Sequence, residues 1–248
     1  MIPAEPFRAR LVAARPLTPS VRELRFERED GRPFRFDPGQ WVNLLLPLPG
    51  GEVKRAYSIA SAPGEQGAGA GRFDIAVTRV EGGAGSQLLH DLPVGSSLGA
   101  IGPQGLFTRP PSEEAPSLFI GTGTGLSPLR SMIHAALAAS STTPLWLLFG
   151  ARHEADILYR EELEALARQH PSVRYEITLS RPEPSFTGRR GYVQAHLAEL
   201  VADLRAVAGP IAPRAYVCGL DRMVSAVRER LRGELGFERK RVHTERYD

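Results

Sequence analysis

The feature that most constrains the fold is a glycine-rich segment at residues 121–125, between an apolar run, Ser117–Ile120, and a helical pattern, Leu129–Ala139. It consists of Gly121, Thr122, Gly123, Thr124 and Gly125. Backbone amides and a helix N-terminus converge at such a junction, which suits a phosphate group. Ser127 is expected to cap the helix and Pro128 to occupy its first turn. Because no Lys-Ser/Thr pair follows the last glycine, the segment indicates a dinucleotide site and not a nucleoside-triphosphate loop.

The first half of the chain consists of short alternating apolar runs that are separated by glycine and proline. These runs are Phe7–Val12, Val21–Glu27, Trp41–Leu46, Arg55–Ala60, Phe73–Val80 and Ser97–Ile101. Regular short strands with turn residues between them are typical of an antiparallel barrel. We therefore expect an N-terminal six-stranded antiparallel β-barrel.

After a polar, proline-rich stretch at Arg109–Pro116, the hydrophobic period changes, so we place a domain boundary there and expect domains at 1–110 and 111–248. The expected strands are Ser117–Ile120, Leu145–Phe149, Arg174–Leu179 and Ala215–Cys218. They alternate with helical stretches at Leu129–Ala139, Tyr159–Arg168, Val193–Leu204 and Met223–Leu235. This alternation predicts a doubly wound parallel α/β domain.

Composition excludes several classes of function. The chain has 248 residues and a net charge of +3, and no block of basic residues marks a nucleic-acid surface. No apolar run reaches the roughly 20 residues that a membrane helix needs. The six histidines lack the spacing of metal ligands, so no metal site is expected. The start of the chain lacks a secretory signal pattern, which predicts a cytoplasmic protein.

Cys218 is the single cysteine, which excludes internal disulfides and any iron–sulfur cluster held by several cysteines of this chain. An iron–sulfur electron carrier, if one takes part, must therefore be a separate protein.

Five further motifs follow one another along the chain. They are Asp37–Val42, Arg55–Ser58, Gly82–Ser86, Cys218–Gly219 and Glu245–Tyr247. Together with the glycine-rich segment, and in this order, they resemble the ferredoxin–NADP reductase family over nearly the whole chain. The resemblance implies an FAD-binding barrel followed by an NADP-binding domain.

For the first half, the resemblance places Arg55 against the pyrophosphate of the flavin cofactor and Tyr57 along the flavin itself. Ser58 would hold its hydroxyl near ring nitrogen N5, through which the hydride passes, and Ala56 belongs to the same cofactor-binding strand. The second phosphate charge is expected to meet backbone amides and a hydroxyl from Gly83, Ala84, Gly85 and Ser86. A site that contacts a diphosphate favours FAD over FMN.

For the second half, the residues favour NADPH over NADH. An acid usually follows the second strand of an NAD site, but Arg152 stands there, which fits a 2′-phosphate. Ser180, Arg181 and Arg190 match the segment that grips this phosphate in plant-type members of the family, and Tyr192 would stack on adenine. The alternative is that these arginines form an ordinary basic loop.

The resemblance also implies roles for the residues near the C-terminus. Cys218 would pack against the nicotinamide, with Gly219 and Asp221 belonging to the same cofactor site. Glu245 would assist proton handling, and Tyr247 would cover the flavin until the nicotinamide displaces it. The tyrosine is not the terminal residue, which departs from the family pattern. The expected catalytic residues are Ser58, Cys218, Glu245 and Tyr247.

The expected function is hydride transfer between NADPH and FAD, coupled to single-electron transfer to or from a separate ferredoxin or flavodoxin. A monomer is expected. One alternative is an NADH-dependent reductase component of an oxygenase system, or a flavin reductase, although such components often carry a fused iron–sulfur domain. A second alternative is a non-catalytic electron-transfer subunit of a larger complex.

Overall fold

The computed structural model describes residues 5–64 and 71–247, and the first of its two sheets is antiparallel. Its strands are β1 (Phe7–Thr18), β2 (Val21–Arg28), β3 (Trp41–Leu48), β4 (Gly51–Ser58), β5 (Arg72–Thr78) and β6 (Ser97–Gln104). Their order is β4-β3-β6-β1-β2-β5. An antiparallel bridge between Ile59 and Ile75 joins the two edges, so the sheet closes on itself. The predicted six-stranded barrel is confirmed.

The barrel interior is filled because alternate residues of each strand point inward. β1, for example, begins with a strict alternation of buried and exposed side chains. Four phenylalanines, Phe7, Phe26, Phe34 and Phe73, pack ring against ring with centroids 4.7 to 6.4 Å apart. Burial of large apolar side chains is the main source of stability in this half.

Helix α1 (Ala84–Asp91) lies between β5 and β6 in the chain and is fastened to the barrel at its C-terminal end. Nη1 of Arg22 on β2 donates hydrogen bonds to the carbonyl oxygens of Leu89, His90 and Leu92. The last carbonyls of a helix have no partner within the helix, so this arginine satisfies them. The N-terminus of α1 is thereby held at one place on the barrel.

The second sheet is parallel. Residues 105–116 connect it to the last strand of the first sheet. The strands of the parallel sheet are β7 (Ser117–Thr122), β8 (Leu145–Ala151), β9 (Val173–Leu179), β10 (Arg189–Arg190), β11 (Arg214–Leu220) and β12 (Val242–Tyr247), in the order β10-β9-β8-β7-β11-β12. Arg109, fully buried, fastens the connection by donating from Nε to the Ser117 hydroxyl at 2.9 Å.

Helices cover both faces of this sheet: α2 (Leu126–Ala138), α3 (Arg160–Gln169), α4 (Leu197–Ala208) and α5 (Asp221–Glu229). Phe119 of the central strand packs into the core with α2 and α3, whereas its neighbours Leu118 and Ile120 pack into the core with α4 and α5. A strand buried on both faces reads as a continuous apolar run, as this one does. The predicted doubly wound parallel fold is confirmed.

The helix boundaries differ from those expected in three places. Gly125 occupies the N-cap of α2, so the prediction that Ser127 caps this helix is wrong. A 3₁₀ turn at Val193–His196 precedes α4, and a π-helical turn at Arg230–Glu234 continues α5. No helix in the described part of the chain is long and apolar enough to cross a membrane.

Candidate functional site

A cavity of about 1430 Å³ lies between the two sheets and is lined by residues of both. Sites for single small molecules commonly measure roughly 300–1,000 Å³. The cavity is therefore large enough for two extended ligands side by side. The carboxyl ends of β7, β8 and β11 open onto it, which is where parallel sheets bind ligands.

On the barrel side, the end of β4 forms one wall of the cavity. All four of its candidate residues line the wall: Arg55, Ala56, Tyr57 and Ser58. Burial raises the pKa of Tyr57 to about 12, so its phenol stays neutral. The aliphatic part of Arg55 lies over the start of α1, since a Cβ on Gly85 would sit 3.8 Å from its Cγ. The guanidinium is exposed and donates to the Lys54 carbonyl at 3.0 Å.

The start of α1 forms the next part of the wall and consists of Gly83, Ala84, Gly85 and Ser86. Gly85 allows close packing, because a Cβ there would meet Leu46 Cδ1 at 3.0 Å. The Ser86 hydroxyl accepts from the Val80 amide at 3.0 Å and donates to the Gly83 carbonyl at 2.9 Å. It holds the loop together, so the first-turn amides, which have no partner within the helix, are the groups best placed for a phosphate.

On the side of the parallel sheet, the glycine-rich segment turns from β7 into α2. Thr122, Gly123 and Thr124 line the cavity. Gly121, Gly125 and Pro128 do not line it; instead, Gly125 packs where a Cβ would lie 2.4 Å from the Cys218 carbonyl oxygen. These glycines serve the close packing of strand and helix.

Thr122 and Ser127 line the cavity, and each has a buried hydroxyl with no hydrogen-bond partner in the described part of the chain. A buried polar group without a partner destabilises a folded chain, and such groups are often completed by a ligand. Gly219, at φ +151°, lies close by, because a Cβ there would come within 2.4 Å of the Thr122 hydroxyl. Two orphaned hydroxyls and a helix N-terminus fit the pyrophosphate of a nicotinamide dinucleotide.

At the far end of the cavity, Arg152, Ser180 and Arg181 come together, and Tyr192 lies beside them with 67% of its surface exposed. The backbone links these residues, since the Arg181 amide donates to the Arg152 carbonyl at 2.9 Å. Two cationic side chains and a hydroxyl in one place fit a phosphate dianion.

Arg190 is not brought into this group. Its Nη2 donates to the carbonyls of Glu183, Pro184 and Phe186 at 3.1, 3.1 and 2.7 Å. The neighbouring Arg189 pairs with glutamates. Asp221 also lies outside the lining and pairs with Arg246 at 2.8 Å.

All four residues expected to be catalytic meet where the two sheets join. The Tyr247 hydroxyl donates to Ser58 Oγ at 2.6 Å, and Ser58 Oγ donates to Glu245 Oε2 at 3.2 Å. Glu245 is opposite Cys218 in the parallel pairing of β11 and β12. Cys218 is fully buried beside Tyr247 and does not line the cavity. The barrel and the parallel sheet thus share one hydrogen-bonded cluster.

Burial sets the protonation of this cluster. It raises the pKa of the Glu245 carboxyl to about 7, although the hydrogen bond from Ser58 opposes the shift. Burial also raises the pKa of the Cys218 thiol and of the Tyr247 phenol well above their ordinary values. At neutral pH the thiol and phenol are therefore neutral, and Glu245 is the group that can gain or lose a proton.

Several residues of the cavity were missed by the sequence analysis. The sequence predicts a capping role for Ser127, yet this residue lines the cavity, as do Arg222, Met223 and Arg246. The first of these missed arginines directly follows Asp221 at the carboxyl end of β11, and that position was a signal that could have identified it.

Comparison with known proteins gives concordant matches over both halves. The model of the oxidoreductase FAD-binding domain matches residues 8–108, and that of the oxidoreductase NAD-binding domain matches residues 119–229. Ferredoxin–NADP reductase B of Sorangium cellulosum is 66% identical over 248 residues, which is 100% of both chains. The solved ferredoxin reductase in carbazole 1,9a-dioxygenase has a TM-score of 0.83 at 26% identity, with 100% of this chain and 70% of that one covered.

Reductase components of oxygenases match over a shorter share of their length. The phenol hydroxylase P5 protein of Acinetobacter pittii is 32% identical over 244 residues, which are 97% of this chain but 65% of that protein. The present chain thus spans about two thirds of such a relative.

Proposed function

We propose that this chain, which belongs to the ferredoxin–NADP reductase family of FAD-dependent oxidoreductases, passes a hydride between NADPH and bound FAD and single electrons to or from a ferredoxin or flavodoxin. The observation that carries the proposal is the cluster of Ser58, Glu245 and Tyr247, which joins the barrel to the parallel sheet at the wall of one cavity, with Cys218 buried behind it. Hydride transfer requires two cofactors to meet at one point, and this cluster lies at such a point.

Bound FAD supplies the exchange between two-electron hydride chemistry and single-electron transfer. The chain would hold it by the Arg55 guanidinium and the first-turn amides of α1, with Tyr57 packed along it. Glu245, with its pKa near 7, holds or releases a proton at neutral pH at the cavity wall, where Ser58 Oγ donates a hydrogen bond to it. The neutral thiol of Cys218 is buried beside Tyr247 as a small apolar group behind the cavity wall.

NADPH would bind along the glycine-rich segment, with its pyrophosphate at the hydroxyls of Thr122 and Ser127. The support is that both residues line the cavity and that their buried hydroxyls lack a partner among the described residues. Its 2′-phosphate would lie between Arg152, Ser180 and Arg181. Arg190 is left out of this proposal because its guanidinium is bonded to backbone carbonyls.

The test is a spectrum of the purified protein combined with release of its cofactor. Acid-released flavin is expected to be FAD by chromatography, and anaerobic addition of NADPH should bleach it. We expect NADPH to exceed NADH in kcat/KM by about tenfold or more. FMN, the absence of flavin, or a preference for NADH would contradict the proposal.

A second candidate function is that of an NADH-dependent reductase component of an oxygenase system. The identity to the phenol hydroxylase P5 protein favours it. It predicts faster reduction by NADH and electron delivery to an oxygenase's own ferredoxin. A non-catalytic subunit, by contrast, would keep its flavin oxidised in the presence of either nucleotide.

Three expectations stay predictions: the domain boundary between residues 110 and 111, the monomeric state and the cytoplasmic location. The ferredoxin-type partner is likewise proposed from the names of the relatives. Reduction of added ferredoxin and of added flavodoxin by NADPH through this protein would identify the carrier class.

A further inference from the structure

Arg130 on α2 is a buried arginine whose guanidinium crosses the boundary between the barrel and the parallel-sheet half. Its side chain is 5% exposed. Nη1 donates a 2.7 Å hydrogen bond to the backbone carbonyl of Ala60, which follows β4 of the barrel. Nε and Nη2 donate to the two carboxylate oxygens of Glu162 on α3, at 2.7 and 3.1 Å. One planar group thus ties the barrel to two helices.

The groups around Arg130 hold it in place. His134 Nε2 lies 2.7 Å from Glu162 Oε1, and the Arg130 guanidinium stacks 4.8 Å from the centre of the Tyr159 ring. Burial opposes ionisation of Glu162, but the bond to His134 and the charge of Arg130 outweigh it and lower the pKa of Glu162 to about 2. A buried ion pair of this kind is rigid, because breaking it leaves a charge without compensation.

Arg130 lies close in the chain to one wall of the cavity and is hydrogen-bonded to a residue next to the other wall. Ala60 stands two residues after Ser58, and its own amide is bonded to the Asp74 carbonyl, so the stretch after β4 is anchored from two directions. Arg130 itself lies one turn after Ser127, which lines the cavity. A short, stiff path of backbone and side chain therefore connects the two walls.

We propose that Arg130 is a positioning residue that fixes the distance between the flavin-binding end of β4 and the nucleotide-binding end of α2, and so sets the approach of nicotinamide to flavin. The inference rests on the proposed function. Hydride transfer is sensitive to such a distance, since a misplacement of about 1 Å can slow a reaction roughly 100-fold. A substitution of Arg130 would therefore change the rate of hydride transfer and leave the contacts of each cofactor with the protein intact.

The main test compares wild type with Arg130→Lys, both loaded with FAD. A lysine keeps the charge but presents a single ammonium group, so it cannot fork to Glu162 and reach the Ala60 carbonyl together. We expect flavin reduction by NADPH, followed by stopped flow, to slow at least tenfold. The Kd for NADP⁺ from difference spectra should stay within about twofold of wild type, as should FAD retention.

A second readout does not depend on activity. Amide hydrogen exchange should speed up at Ile59 and Ala60 in Arg130→Lys, because their bonded amides lie beside the lost contact. Glu162→Gln provides an independent variant that keeps Arg130 and its bond to Ala60, and it should show a smaller effect on both readouts. Arg160→Lys is the matched control, since Arg160 pairs only one turn along its own helix with Glu164 at 2.9 Å in the contacts that the described structure gives.

Unchanged reduction kinetics and exchange in Arg130→Lys would overturn the inference. A parallel loss of FAD, of NADP⁺ binding and of thermal stability would also overturn it, because it would make Arg130 a general folding residue. A wild-type protein that NADPH does not reduce would contradict the proposed function, and exchange at Ile59 and Ala60 would still decide whether Arg130 links the two walls.

Discussion

The two walls of the cavity are built on opposite principles. On the barrel side, polar groups are already bonded to the protein: the Ser86 hydroxyl joins Val80 to Gly83, and Arg22 binds the carbonyl end of α1. On the side of the parallel sheet, the hydroxyls of Thr122 and Ser127 are buried without partners. The named side chains of the barrel wall are thus bonded without a ligand, whereas the two hydroxyls of the other wall are not.

This difference suits the two proposed ligands. A flavin that stays bound through many turnovers gains from a loop that is ordered in advance, because less entropy is lost on binding. A nucleotide that must arrive and leave can be recognised by groups whose hydrogen bonds form only in its presence. We therefore expect mutations in the barrel wall to affect cofactor retention and stability, and mutations in the opposite wall to affect nucleotide affinity.

The largest expected effect concerns the contact between the walls. Glu245→Gln keeps a hydrogen-bonding group opposite Ser58 but removes the group that titrates near neutral pH. Turnover with an artificial acceptor should fall about 100-fold or more, the usual scale of general acid–base catalysis. The Kd for NADP⁺ should not change, since the carboxyl contacts neither proposed phosphate site. Turnover equal to wild type would show that Glu245 takes no part in proton transfer.

The same carboxyl predicts how stability depends on pH. The folded chain keeps the proton of Glu245 up to about pH 7, whereas an unperturbed glutamate loses it near pH 4.5. Between these values the folded state binds more protons, so the free energy of unfolding falls as pH rises, by an amount on the order of 2–3 kcal/mol.

Urea unfolding of wild type and Glu245→Gln at pH 5 and pH 8 measures this contribution. Wild type should lose stability between the two pH values relative to the variant, which has no carboxyl at this position. The same slope in both proteins would mean that the carboxyl is solvated, and that the contact with Ser58 does not bury it.

The sequence predicted the parts of this site that depend on local patterns. The glycine-rich turn and the alternating strands were correct because turn chemistry and periodicity are local properties. β12 was not predicted as a strand, since its polar residues alternate weakly and its partner β11 is distant in the chain. The role of Ser127 was wrong because the 3₁₀ turn at Gly123–Gly125 moves the cap to Gly125.

The arginines show why the remainder could not be predicted. Arg181 and Arg190 look alike in sequence, but only the first lines the cavity, because the carbonyls of residues 183–186 hold the second. Arg130 carries no motif that we identified, and its partners lie 70 and 32 residues away along the chain. Long-range contacts of this kind depend on how the two halves pack.

On the barrel wall, Arg55→Ala should weaken FAD retention by about 1.5–3 kcal/mol, the value of a charge-assisted phosphate contact. The matched control is Arg79→Ala, because Arg79 is also exposed near α1 but pairs with Asp91. Both variants are dialysed, and the FAD absorbance that remains with each protein is then compared. Equal retention in both variants would remove Arg55 from the cofactor site.

The smallest effects give the most direct test of the comparison, because one hydroxyl is removed from each wall. Ser86→Ala should lower the free energy of unfolding by about 1 kcal/mol, since it deletes a bonded hydroxyl. Ser127→Ala should leave stability unchanged or raise it, because the deleted hydroxyl had no partner.

The effects on ligand binding should be reversed. NADP⁺ affinity should fall severalfold, up to about tenfold, in Ser127→Ala and stay constant in Ser86→Ala. Urea unfolding and difference spectroscopy on the same two proteins give all four values. If Ser127→Ala destabilised the chain as much as Ser86→Ala and bound NADP⁺ normally, both hydroxyls would serve the fold, and the two walls would follow one principle.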